Sequence, residues 1–143
     1  MNTDFTLDFR GTYIHVQHAQ GYIITPESMN RLYLALAKAC KHFKCTRVFA
    51  EGASVTRQLN MTGAFDSGTQ VAEYIAGLSM ACFLEGYKTD ELTEFFKTVA
   101  RNRGANVEFF SDREEAFRWL GVLPVSKKPG VKSDNNGVTQ FFL

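Results

Sequence analysis

Three carboxylates fall where short apolar runs of this chain end: Glu51, Glu85 and Asp112. In open α/β sheets, ligands gather beyond the carboxyl ends of the strands. Converging carboxylates at that place hold a divalent cation through hard oxygen ligands, or split their pKa values for acid–base work. Helix capping by Asp112, with Glu51 and Glu85 as solvated strand ends, is the competing and stronger reading. A second candidate is Ser67 in Phe65-Asp66-Ser67-Gly68-Thr69. A serine at a helix start makes a phosphorylation switch, because the helix dipole welcomes the added charge. The same residues read as a capping box, Ser67-Gly68-Thr69-Gln70, at the head of a helix through Val71, Ala72 and Ile75. Arg101, Asn102 and Arg103 form a third candidate, a basic rim for an acidic lipid headgroup or partner surface. Their place in the last turn of a helix explains them equally as partners of its negative end.

Other chemistry lacks its usual devices. There is no Gly-x-Ser-x-Gly nucleophile turn and no Cys-His motif. His15 and His18 lie three residues apart on an expected strand, hence on opposite faces, and do not chelate one metal together. His42 reads as a dipole partner at a helix end. Neither GxGxxG nor a Walker-type phosphate cradle occurs. No catalytic residue, metal or cofactor is therefore expected.

The elements that must position these residues are well marked. Phe5, Leu7 and Phe9, a turn at Gly11, then Ile14 and Val16 alternate as a β-hairpin. Thr25-Pro26-Glu27 caps a helix whose buried stripe is Met29, Leu32, Tyr33, Leu36, Cys40 and Phe43. Arg47–Ala50 is a strand covered on both sides and ended by Glu51-Gly52. Residues 53–65 predict a loop with one or two helical turns. Leu78–Leu84 is the next strand, and Thr89 caps a helix with Leu92, Phe95, Phe96, Val99 and Ala100 inward and Gly104 at its C′ position. Val107–Phe110 is the last strand, and Ser111 or Asp112 caps a final helix with Ala116, Phe117, Trp119 and Leu120. Strands alternating with helices in this way specify an α/β fold: a mixed, mostly parallel sheet with an N-terminal β-hairpin whose first strand is an antiparallel edge, and four crossover or flanking helices. Residues 1–123 make this domain. Residues 124–143 turn to Lys, Gly, Ser and Asn before Phe141-Phe142-Leu143, a tail expected to dock on an apolar groove of the domain or of a neighbouring subunit.

Composition bounds the setting. A chain of 143 residues with 45% hydrophobic content builds one core. Cys40, Cys45 and Cys82 are odd in number and lack metal-ligand spacing, as expected of reduced thiols. Sixteen basic against fifteen acidic residues leave a formal charge of +1, without the electrostatic footprint of nucleic-acid binding. No apolar run approaches a bilayer span, and Met1-Asn2-Thr3-Asp4 lacks the look of a signal peptide. A cytoplasmic protein without membrane insertion is expected. Thirteen phenylalanines within 13% aromatic content suit an apolar interface or cavity.

From Phe5 to Val122 the order of elements is similar to that of the SpoIIAA-like, or STAS, family of small bacterial domains. The resemblance is carried by Phe95-Phe96-Lys97-Thr98-Val99-Ala100-Arg101-Asn102-Arg103-Gly104 and by Val107-Glu108-Phe109-Phe110-Ser111-Asp112 with the helix that follows. In the family's anti-sigma-factor antagonists an Asp-Ser-Ser/Thr-Gly phrase at a helix start carries the phosphorylated serine, and Asp66-Ser67-Gly68 resembles it in part. The resemblance implies a non-enzymatic regulatory or protein-interaction module, dimeric, meeting a protein partner near Ser67 and the strand ends. The alternative it permits is a carrier or sensor of a small apolar or amphipathic ligand, with Arg101 and Arg103 near the ligand's charged end.

Overall fold

The computed structural model describes residues 4–126; the expected docking of Phe141, Phe142 and Leu143 lies outside them. The hairpin forms as its alternation predicts, with β1 (Phe5–Phe9) antiparallel to β2 (Ile14–His18) and Asp8 opposite His15. Gly11 makes the turn at φ +92, a conformation L side chains avoid. After a two-residue strand, β3 (Ile23–Ile24), comes α1 (Pro26–Phe43). Thr25 Oγ1 accepts from the Ser28 amide and Ser28 Oγ accepts from the Thr25 amide, so serine closes a box that glutamate more often closes.

The chain continues through β4 (Arg47–Ala53), β5 (Thr56–Arg57), α2 (Met61–Tyr74), β6 (Ser79–Glu85), α3 (Glu91–Asn102), β7 (Asn106–Phe110) and α4 (Arg113–Leu120). Five strands form one sheet in the order β1-β2-β4-β6-β7, and every pair except β1–β2 is parallel. β3 and β5 pair in parallel as a separate two-stranded ribbon.

Three boundaries correct the expectations. β4 extends to Ala53, so Glu51 lies inside a strand and not at its solvated end. α2 starts six residues before Ser67: the Asn60 side chain accepts from the Gly63 amide and caps it. The capping box at Ser67 therefore does not form, and Ser67 sits two turns into the helix. α3 takes Asp90, not Thr89, as its N-cap, because that carboxylate accepts from the Thr93 amide and also meets a cation from β5.

Each parallel crossover moves the same way across the sheet, so right-handed connections set α1, α2 and α3 on one face. There Leu7, Ile14, Val16, Val48, Met80 and Val107 meet Tyr33, Leu36, Val71 and Phe96. Among the described residues α4 is the one helix on the other face, where Phe49, Ala81 and Tyr13 meet Ala116, Phe117 and Leu120. No helix among the described residues lies over the β1–β2 side of that second face, and its side chains are polar: buried Asp8 and His15 and exposed Gln17.

Candidate functional site

Two places concentrate chemistry. The first lies at the carboxyl ends of β6 and β7. An open cleft of about 330 Å³ is lined by Cys82, Leu84, Phe109 and Phe110, with Lys88, Thr89 and Ser111 at its rim. Cys82, Leu84 and Phe109 also line an apolar cavity of about 40 Å³ between the sheet and α1, reaching His18, Met29, Tyr33 and Phe96. A third void, about 30 Å³, lies beneath Arg57 and Leu59 and shares Met29, Phe96 and Phe109 with the cavity. Cleft and cavity thus lie on either side of common wall residues, with polar groups at the cleft and apolar ones around the cavity. Burial holds the Cys82 thiol protonated, its pKa pushed up to about 12.

The β3–β5 ribbon roofs this region, and Arg57 fastens it. The guanidinium donates to both Asp90 carboxylate oxygens, at 2.8 and 2.5 Å, and reaches Tyr87 Oη at 3.3 Å. Arg57 and the Thr93 amide together hold the Asp90 carboxyl far below the usual carboxylate range. The pair is half exposed, which limits its worth to about 1 kcal/mol. Arg57→Ala is therefore expected to cost about 1 kcal/mol and to speed hydrogen exchange at the Thr56 and Gln58 amides, which are bonded to Tyr22 and Ile24 carbonyls. Unchanged exchange at those two amides would refute the fastening.

The second place is the uncovered polar part of the sheet. His15 Nε2 lies 2.6 Å from Glu51 Oε2, and its Nδ1 lies 3.4 Å from Asp8 Oδ1 and 3.1 Å from an Arg10 guanidinium nitrogen. Arg113 donates to Glu51 at 3.3 Å and stacks over Phe49 and Phe117. Arg10 also donates to the Val125 carbonyl, and the Val125 amide donates to Tyr13 Oη at 2.9 Å, so the chain beyond α4 is tied across β2. Neutral His15 accepts from Arg10 and donates to Glu51; the imidazolium donates to both carboxylates.

Burial opposes the charged His15 ring, but the bonds from Asp8 and Glu51 outweigh it and raise its pKa above 6.5. Burial likewise opposes the Asp8 and Glu51 carboxylates, and their bonds to His15 and the arginines lower both pKa values. A base with a raised folded pKa stabilises below its unfolded value, and that stability is lost as pH rises through the folded pKa. The lowered acids stabilise above their unfolded values and lose this as pH falls. His18 works oppositely to His15: burial depresses it to about 4, so it weakens the fold between pH 6.5 and 4. Comparison with a variant isolates the network. The melting-temperature gap between wild type and His15→Gln is expected to be widest near pH 5.5 and to narrow toward pH 9; a gap independent of pH would exclude a charged His15.

The sequence-derived candidates disperse. Ser67 is 3% exposed, with its Oγ 2.7 Å from Tyr33 Oη and donating to Met29 Sδ. Its hydroxyl faces the core from within α2, and the helix start where the switch was expected lies at Asn60. Arg101 and Asn102 close α3, and Arg103 follows as its C-cap with its guanidinium 5.3 Å from the Phe65 ring centre. All three sit at the end of α3 opposite the cleft, because a crossover helix runs antiparallel to its strands; they do not flank the cavity's mouth. Glu51 joins His15 and Arg113. Glu85 is exposed at the last position of β6, and Asp112 caps α4 through the Glu114 amide. The three acids thus serve three separate purposes, and no cluster of three His, Cys, Asp or Glu side chains able to hold a metal occurs among the described residues. None of the described helices is long and apolar enough to cross a membrane.

The charged network escaped the sequence reading although a signal for it existed. Once the turn at Gly11 fixes the hairpin register, Asp8 and His15 are cross-strand partners on the face opposite Leu7 and Val16. No protein-family model and no curated protein matches this chain.

Proposed function

We propose that this chain is a non-enzymatic, STAS-like regulatory module that carries or senses a small amphipathic ligand in the strand-end cleft. The single observation behind this reading is that the open cleft and the apolar cavity have Cys82, Leu84 and Phe109 as common walls. A ligand's polar end meets Lys88, Thr89 and Ser111, and its apolar part passes inward under the β3–β5 roof. Small-molecule sites have this composition, mostly apolar walls with a few polar groups that fix orientation. A cytoplasmic setting and a dimeric state belong to the same proposal. Native mass spectrometry of protein purified from cells tests it: a bound small molecule that is lost in Cys82→Trp, a substitution that fills the shared wall, supports the reading. A ligand-free spectrum together with unaltered melting across a panel of amphipathic compounds refutes it.

A protein-contact role without ligand is the second reading, favoured by Met61 and Phe65. These lie one turn apart on α2, 53% and 42% exposed, with Arg103 stacked on the Phe65 ring. An acidic peptide with an apolar anchor suits that pair. Phe65→Ser with Arg103→Glu is then expected to abolish partner pull-down while leaving the melting temperature within about 2 °C, since surface substitutions cost little; retained pull-down would dismiss this surface.

A further inference from the structure

Arg10 joins the charged network on the second face to the chain that follows α4. Its one planar guanidinium meets three acceptors: Nε donates to Asp8 Oδ2 at 3.0 Å, one terminal nitrogen lies 3.1 Å from His15 Nδ1, and the other donates to the Val125 carbonyl. Val125 is also held through its amide, which donates to Tyr13 Oη at 2.9 Å. Val122, Leu123 and Pro124 lead from α4 to this point and line an open groove of about 630 Å³ together with Arg113, Phe117 and Arg118. Residues 122–125 are thus a strap whose far end is clipped across β2.

The bond between Arg10 and His15 exists in one protonation state of the ring. A guanidinium has donors and no acceptor, so His15 Nδ1 must present its lone pair, and the ring proton sits on Nε2, directed at Glu51 Oε2 2.6 Å away. A second proton goes to Nδ1. It sets two N–H groups of like charge facing each other across 3.1 Å, while Asp8 Oδ1, at 3.4 Å, accepts the new N–H. The guanidinium fork is rigid, so one nitrogen does not leave His15 while the other two keep their places. The Asp8 side chain follows the fork; the Val125 carbonyl is backbone and does not.

The charged groups facing His15 are Asp8 from β1, Arg10 from the turn after it and Glu51 from β4, with Arg113 of α4 one bond further on at Glu51. Tyr13, just before β2, carries the strap. Of the three groups in contact, the carboxylates favour the imidazolium and Arg10 opposes it.

We propose that His15 and Arg10 form a proton-operated latch: with the ring neutral the strap of residues 122–125 is clipped across β2, and protonation of His15 turns Arg10 away and unclips it. The latch stands apart from the ligand reading above and acts on the groove beside α4.

Nuclear magnetic resonance of the full chain between pH 5 and pH 9 tests it, through the ¹⁵N shifts of the His15 ring, the Val125 amide peak and the Overhauser contact between Val125 and the Tyr13 ring. The Val125 peak is expected to move with the midpoint of the His15 ring, and the Val125–Tyr13 contact to be present near pH 9 and lost near pH 5. In His15→Gln the strap stays clipped and both signals are expected to be independent of pH. Arg10→Lys keeps the positive charge and lacks the fork; there His15 still titrates and Val125 no longer follows it. A Val125 signal unmoved while wild-type His15 titrates, or one that keeps its midpoint in either variant, overturns the latch. So does a His15 ring that holds one protonation state across the range. Should His15→Gln fail to fold, the wild-type titration and Arg10→Lys decide alone.

Discussion

Phe49→Ala is expected to lower the unfolding free energy by about 3–5 kcal/mol, and the melting temperature by about 10 °C or more. Phe49 is fully buried in the middle of β4 and stacks on Phe117 at 4.2 Å. Among the described residues α4 is the one helix on this face of the sheet and the apolar cluster is small: Tyr13, Ala81, Ala116, Phe117 and Leu120 are its other buried members. Removing the Phe49 ring leaves a void that an eight-residue helix does not close by shifting, because its ends are pinned by the Asp112 cap and by Gly121 in the left-handed region. The loss spreads to the charged network, since Arg113 rests on the Phe49 ring and His15 stacks against it at 6.0 Å. Thermal unfolding of Phe49→Ala and Phe49→Leu checks this. The leucine variant is expected to retain most of the stability. Equal losses in the two would point to lost ring stacking and not to cavity formation.

The alternating hairpin, the strand-helix succession and the Asp112–Gly121 helix were legible because each is specified locally, by a two-residue period, a cap or a C′ glycine. Residues 53–65 were not, for a physical reason. A two-residue ribbon strand carries no period, and Asn60 followed by Met61-Thr62-Gly63 lacks both an acidic first turn and an apolar stripe. Gly63 counted toward a loop and Gly68 was read within a cap; in the structure both are buried inside α2. The site suffered from the same limit. Glu51, Glu85 and Asp112 were gathered by their positions at the ends of apolar runs, yet the alternation of side chains along a strand and the demands of a cap decide where carboxylates go. His18 was visible only as one member of a histidine pair, because its burial depends on Gly52 and Tyr22, which pack against it in space and are not marked in the local pattern.

Gly68→Val is expected to destabilise the fold by about 3 kcal/mol, the upper part of the range for overpacking, with Gly68→Ala losing about 1–2 kcal/mol. At Gly68 a Cβ would lie 2.9 Å from Val99 Cγ1, 3.0 Å from Val99 Cβ and 3.0 Å from the Phe96 carbonyl oxygen. Val99 is stiff at χ1 and the carbonyl belongs to helix backbone, so neither moves aside cheaply. α2 and α3 would have to separate, disturbing Phe96, which lines the cavity. Gly63 on the same helix is the control. Its added Cβ would meet the end of the Leu59 side chain, at 2.7 Å from Cδ1, and that end rotates away. Gly63→Ala gains helix propensity worth up to about 1 kcal/mol and is expected to be neutral or stabilising. Denaturant midpoints of the three variants test the comparison, and a Gly68→Ala midpoint at or above that of Gly63→Ala would contradict it. The outcome also bears on the Asp66-Ser67-Gly68 phrase: its small residues are accounted for by the Tyr33–Ser67 hydrogen bond and by the helix-to-helix approach at Gly68, so Ser67→Ala is expected to act on stability through Tyr33.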